Sequence, residues 1–137
     1  MVPNIFLLNA TSLAKNNAVQ HLQCDLACSD IDVALIVETW FRPSISDDVV
    51  AIDNYDLYRS DRCNRKGGGI AAYVRCGIDR KIFITPTTTS KGLVEYMSLE
   101  MVFHSQLVFI LCCYHPPKPQ HVPFSYKLQW QMILNIY

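Results

Sequence analysis

The stretch Val33-Ala34-Leu35-Ile36-Val37-Glu38-Thr39-Trp40 decides the fold, because an unbroken apolar run meets a glutamate, a threonine and a tryptophan. A short run rich in valine and isoleucine reads as a strand buried on both faces, the kind found inside an α/β sheet. Glu38 stands where that strand ends, and in open α/β sheets ligands collect at the carboxyl ends of strands. Two readings of it stand at this point. It is a metal ligand or acid/base group at the sheet edge, or a solvated loop residue with Trp40 capping the core.

Working outward, Ile5-Phe6-Leu7-Leu8 reads as an earlier strand that ends, like the first, in a polar residue, Asn9. Ser12 fits a helix N-cap, and Leu13, Ala18, Val19, Leu22 and Leu26 supply an apolar helical face through about Ala27. Strand, helix, strand is the unit that makes parallel neighbours. Asn9 and Glu38 are therefore expected at one sheet edge.

Downstream, residues 41–50 read as loop and Tyr55–Tyr58 as a short strand. A basic loop from Arg59 to Lys66 closes on Gly67-Gly68-Gly69, which reads as a tight turn or as a close backbone approach. No Lys-Ser/Thr follows the glycines, so this is not a P-loop. Ile70–Val74 is a strand, expected to pair with Lys81–Ile84 as a hairpin around Cys76-Gly77, and Pro86–Gly92 is a connector. Tyr96–Phe103 alternates with period two, and Leu107–Tyr114, the most apolar run, reads as a central strand stopped by Pro116-Pro117. Phe124–Tyr137 is expected to be helical, with Phe124, Leu128, Met132 and Ile133 on one side.

At 137 residues the chain fits one domain, 1–137. Twelve basic and twelve acidic residues cancel, but residues 1–58 carry two basic and eight acidic side chains, net −6, whereas 59–81 carry seven and two, net +5. An acidic cluster beside a basic one suits a metal site that works on a phosphate backbone, and equally suits two solvated faces. The six cysteines form no Cys-x-x-Cys pair, which excludes a zinc framework of that kind. They are expected to be reduced and mostly buried. Neither a signal peptide nor a run long enough for a membrane span is present, so an intracellular, non-secreted location is expected.

Five blocks then fall in a recognisable order: Asn9-Ala10-Thr11-Ser12-Leu13, Glu38-Thr39-Trp40, Tyr58-Arg59-Ser60-Asp61-Arg62, Gly67–Arg75 and Tyr114-His115-Pro116-Pro117. Together they resemble the endonuclease domain of non-LTR (LINE-type) retrotransposons, in the endonuclease/exonuclease/phosphatase superfamily, over essentially the whole chain. The resemblance implies the N-terminal portion of a two-sheet α/β sandwich, truncated, with a magnesium-dependent phosphodiester hydrolase site at one end of the sheets. It implies catalytic roles for Asn9, Glu38 and Tyr114, with Glu38 the magnesium ligand and Tyr114 near the scissile phosphate. Arg59 and Arg62, in a basic motif whose role is DNA-facing or structural, and His115 would meet the DNA phosphate backbone. Nuclear action would follow.

Within the motifs, Thr11 and His115 stand where the family favours arginine. The Gly-Asp-Phe-Asn and Ser-Asp-His motifs, which position the attacking water and complete catalysis, do not occur. Removing a positioned base typically costs about 10²- to 10⁴-fold. The chain is accordingly expected to be inactive without a missing C-terminal half. The alternative is a non-catalytic, degenerate fragment with at most nucleic-acid or protein binding, whose Leu107–Tyr114 sheet would be partly uncovered. A third reading is a nucleic-acid-binding module using Arg59, Arg62, Arg65, Lys66 and Tyr73.

Overall fold

The computed structural model describes residues 1–63, 66–84, 94–115 and 130–136, with the backbone alone for 82–84 and 130–136. The expectations for Arg65, for Pro86–Gly92 and for 124–129 lie outside the described residues. Two four-stranded sheets pack face to face, and a helix covers the outer side of the first. The architecture is mixed α/β, compatible with an α/β sandwich.

The first sheet contains β1 (Ile5–Asn9), β2 (Val33–Val37), β3 (Tyr55–Ser60) and β4 (Ile70–Arg75), in the order β1-β2-β4-β3. β1 and β2 are parallel, with Asn9 opposite Val37, so Asn9 and Glu38 do lie at one edge. α1 (Ala18–Cys28) makes the crossover between them. It begins later than Ser12 suggests: Asn17 is its N-cap, and residues 10–14 instead continue along the end of β2. The Ala10 amide donates to the Val37 carbonyl, Ser12 to Glu38, and Leu13 and Ala14 to Thr39, which draws the chain away from a helix start.

The apolar run in β2 is buried throughout because its two faces meet different partners. Val33, Leu35 and Val37 point into the inter-sheet core with Ile70, Ala72 and Val74, while Ala34 and Ile36 join Leu13, Val19, Leu22 and Leu26 beneath α1. Burying a Val, Leu or Ile side chain contributes roughly 1.5 to 3 kcal/mol, which makes this strand the organising element of both cores. Residues 47–50, expected as loop, make one helical turn, α2 (Asp47–Val50), whose Val50 seals the outer core.

The second sheet runs β5 (Asp79–Ile84), β6 (Glu95–Phe103), β7 (Gln106–Tyr114) and β8 (Trp130–Ile136), in sequence order and antiparallel. The expected hairpin between β4 and β5 does not form. β4 already has β2 and β3 on its two edges, so the turn at Cys76-Gly77 carries the chain across to the second sheet. Arg80 of β5 ties the layers together, donating to the Tyr58 hydroxyl (3.0 Å) and pairing with Asp56.

Alternation in β6 holds: Met97, Leu99 and Met101 are buried and meet Val108, Ile110 and Cys112 of β7 in the core. β7 is an interior strand, as expected, but only one of its faces is fully buried. On the other face Leu107 is 41% exposed, opposite Val102 (46%), and Tyr96 (38%) is exposed at the far end of the hairpin. His104 and Ser105, both with positive φ, close the β6–β7 hairpin in two residues. A two-residue turn of that hand matches the twist of the flanking strands.

The expected helix over 124–137 is corrected for 130–136. Those residues are strand β8, paired along β7, whose open edge offers seven residues a ladder that a lone helical turn cannot match. The cysteines are corrected as well. Cys24 and Cys28 of α1, with Cys63 and Cys76 in loops, are exposed, Cys113 is part-buried, and Cys112 alone is buried. Among the described residues no helix is long and apolar enough to cross a membrane.

Candidate active site

The carboxyl end of β2 meets the glycine triplet. Beyond Val37 the chain keeps bonding sideways: the Thr39 amide donates to the Gly69 carbonyl (3.3 Å) and the Trp40 amide to Gly68 (2.9 Å). Left-handed backbone concentrates here. Thr11, Ser12, Glu38 and Trp40 have φ of 43, 86, 57 and 58°, and Gly67, Gly68 and Gly69 lie at 83, 73 and 90°. Such conformations cost non-glycine residues about 1 to 3 kcal/mol each and persist where the surroundings over-determine them. A Cβ on Gly68 would stand 2.0 Å from Arg62 Cζ, and one on Gly69 2.5 Å from Thr39 Oγ1. The triplet is therefore a close-packed backbone platform.

Glu38 lies on that platform, part-buried. Its Oε2 accepts from Trp40 Nε1 (2.5 Å) and from the Gly68 amide (3.2 Å). Burial pushes the carboxyl up, but the Tyr114 phenol, the Trp40 indole, the Gly68 amide and the Arg62 charge outweigh it and hold Glu38 below its ordinary value. The group is an anion at neutral pH. Tyr114, 2% exposed at the end of β7, brings its hydroxyl to Glu38 from the opposite sheet. Burial, and then the Glu38 charge, raise its pKa, so it is a proton donor there. Asn9 Oδ1 accepts from the Thr11 amide (3.2 Å) and hydroxyl (3.3 Å), turning the chain at the same edge.

Sequence reasoning missed Glu95. It opens β6 opposite Tyr114 and is 4% exposed; Oε1 accepts from Arg62 Nε (2.6 Å) and Oε2 from the Gly69 amide (3.0 Å). Adjacent glycine amides thus bind two carboxylates, Gly68 to Glu38 in one sheet and Gly69 to Glu95 in the other. The one available signal was a glutamate at the head of an alternating strand. Its partner is 33 residues away.

The two arginines of the basic motif divide. Arg59 spends all five N–H groups: Nε and Nη2 on Asp61, Nη1 on Asp47 and the Ile45 carbonyl, Nη2 also on the Arg42 carbonyl. Its guanidinium lies 5.1 Å from the Phe41 ring centroid. It clamps residues 41–47 and has no donor left for a phosphate. Among the described residues Arg62 donates only from Nε, and its Nη2 is buried without a partner. Tyr73 is fully buried, its hydroxyl donating to the Val50 carbonyl (2.8 Å), which removes it as a nucleic-acid contact. His115 is part-buried just beyond Tyr114.

Among the described residues no three His, Cys, Asp or Glu side chains gather to hold a metal. The donors nonetheless suit magnesium, which takes one or two carboxylates and keeps several waters. Glu38 is ionised, whereas Glu95 is committed to Arg62 and Gly69. That set fits an ion completed by water and a substrate phosphate, and it does not fit an all-protein cage. No protein-family model matches the chain, and no curated protein matches it significantly.

Proposed function

We propose that this chain supplies the metal- and phosphate-facing part of a magnesium-dependent DNA endonuclease of retrotransposon type, a phosphodiester hydrolase with the endonuclease/exonuclease/phosphatase fold. One observation carries the reading: a left-handed, ionised Glu38 at the end of a buried strand, with Asn9 at the same edge and a protonated Tyr114 reaching it from the second sheet. The order of the five sequence blocks supports it independently.

In this reading Glu38 holds magnesium, which would neutralise charge developing on the phosphate oxygens. Tyr114, whose single O–H faces Glu38 in the free chain, would turn that donor to the same phosphate once the metal occupies Glu38, and Asn9 borders it. The water-activating groups are those of the Gly-Asp-Phe-Asn and Ser-Asp-His motifs, which these 137 residues do not contain, so cleavage requires their supply from outside them. A second reading, a non-catalytic fold with at most nucleic-acid or protein binding, draws on Arg59, whose donors are consumed internally, so that one of the DNA contacts the resemblance implies is missing.

Two measurements test the first reading. Magnesium titrated into the chain with a short DNA oligonucleotide changes the fluorescence of Trp40, whose indole sits on Glu38, and Glu38→Ala abolishes the response. Supercoiled plasmid is nicked only when a polypeptide bearing the two missing motifs is added. Nicking by the chain alone that survives Glu38→Ala would sink the site assignment.

A further inference from the structure

Trp40, whose indole donates to Glu38, also lines a cleft of about 190 Å³ together with Arg42, Arg62, Lys66, Ser12 and Gly67 among others. Three of its residues are cations, and no carboxylate is among its described lining. Each cation is placed by a different device. Arg59 binds the Arg42 carbonyl and so fixes the loop from which Arg42 projects (2.8 Å). Lys66 lies 5.6 Å from the Trp40 ring centroid. Arg62 is held through Nε by Glu95, with its side chain 11% exposed.

Arg62 carries the inference. A buried arginine usually spends its fork, as Arg59 does. Among the described residues Arg62 uses one donor, and the buried Nη2 has no acceptor. An unmade hydrogen bond of this kind costs about 1 to 3 kcal/mol, more for a charged group. Glu95 and the Gly68 backbone nevertheless hold the guanidinium in place, at the wall of a cationic cleft. Planar, multi-donor guanidinium is the group that matches phosphate oxygens.

We infer that this cleft is a second anion subsite that takes a phosphodiester of a DNA strand next to the one at Glu38, with Arg62 as the oriented donor and Arg42 and Lys66 as flanking charges. It rests on the endonuclease reading for its substrate. Glu95 is a positioning residue in this scheme, since it touches Arg62 and not the phosphate.

The experiment uses the full chain, a short fluorescein-labelled single-stranded DNA and EDTA, with anisotropy read across a salt series. Each phosphate neutralised on a single strand contributes about 0.7 to the slope of log affinity against log salt. The double variant Arg42→Gln, Lys66→Gln is expected to weaken binding and reduce that slope by about 1.4. Arg62→Lys, which keeps a cation beside Glu95 but loses the fork, lowers affinity with little change of slope. The Trp40 indole N–H resonance moves on titration with the oligonucleotide or with inorganic phosphate, and inorganic phosphate competes with the oligonucleotide. Equal affinity and slope in wild type and double variant, or an unmoved Trp40 resonance, overturns the subsite. So does phosphate that binds without competing. Binding that depends on Arg42 and Lys66 while complemented nicking fails upholds the subsite and sinks only the nuclease reading.

Discussion

Replacing Gly68 with alanine tests how the two glutamates are held, because its Cβ would fall 2.0 Å from Arg62 Cζ and 2.2 Å from Nε. The clash is with a side chain, normally a cheap thing to move. Here Arg62 is 11% exposed and paired at 2.6 Å with Glu95, itself 6% exposed at the side chain, so making room means breaking a buried ion pair. Removing a partner from such a pair costs about 3 to 5 kcal/mol, because a charge is left buried and uncompensated. Alanine at φ +73° adds roughly 1 to 2 kcal/mol. The expected loss is about 4 to 7 kcal/mol, a large part of a total stability that is typically about 5 to 15 kcal/mol.

Gly77 provides the control. Its φ is +88°, yet an added Cβ would meet nothing within 4 Å, so Gly77→Ala carries the backbone strain alone. Urea unfolding of the two variants, followed by far-ultraviolet circular dichroism, should separate them by about 3 kcal/mol or more. In an Arg62→Ala background the Gly68→Ala cost should fall to about 1 to 2 kcal/mol, since nothing remains to displace. If Gly68→Ala and Gly77→Ala unfold at the same midpoint, or if removing Arg62 leaves the Gly68 cost unchanged, the glycine platform does not hold Arg62 as described.

Two further outcomes follow from the titrating groups. Because the folded state holds Glu38 below its ordinary 4.5, ionised Glu38 contributes stability that is complete above the unfolded value and lost as pH falls through the lowered folded value. Glu38→Gln should flatten that acid limb of a stability-against-pH profile, and an unchanged limb would count against the contacts assigned to the carboxylate. Burial, with the neighbouring Cys113, pushes the Cys112 thiol up to about 12. An aromatic disulfide reagent should therefore react quickly with Cys24, Cys28, Cys63 and Cys76 and reach Cys112 only on unfolding, and mass mapping of the labelled sites would reveal any other order.

The amino-acid sequence determined by itself whatever depends on local periodicity. The short valine- and isoleucine-rich run in β2 read as a doubly buried strand, the alternation in β6 implied one buried face, and strand-helix-strand placed Asn9 and Glu38 at one edge. Tertiary structure decided what depends on which edge is free and on what crosses between layers. β5 left β4 because both of that strand's edges were taken, and residues 130–136 became a strand because β7 had an open one. Arg59 and Arg62 are the same residue type three positions apart, yet one is spent on its own fold and the other keeps its fork, a difference that exists only once Asp47, Asp61 and Glu95 are in place. Glu38 lay between two readings in its own sequence neighbourhood. Its lowered pKa comes from Tyr114, Trp40, Gly68 and Arg62, and all but Trp40 are at least 24 residues away along the chain, because only folding can bring both sheets to bear on one carboxylate.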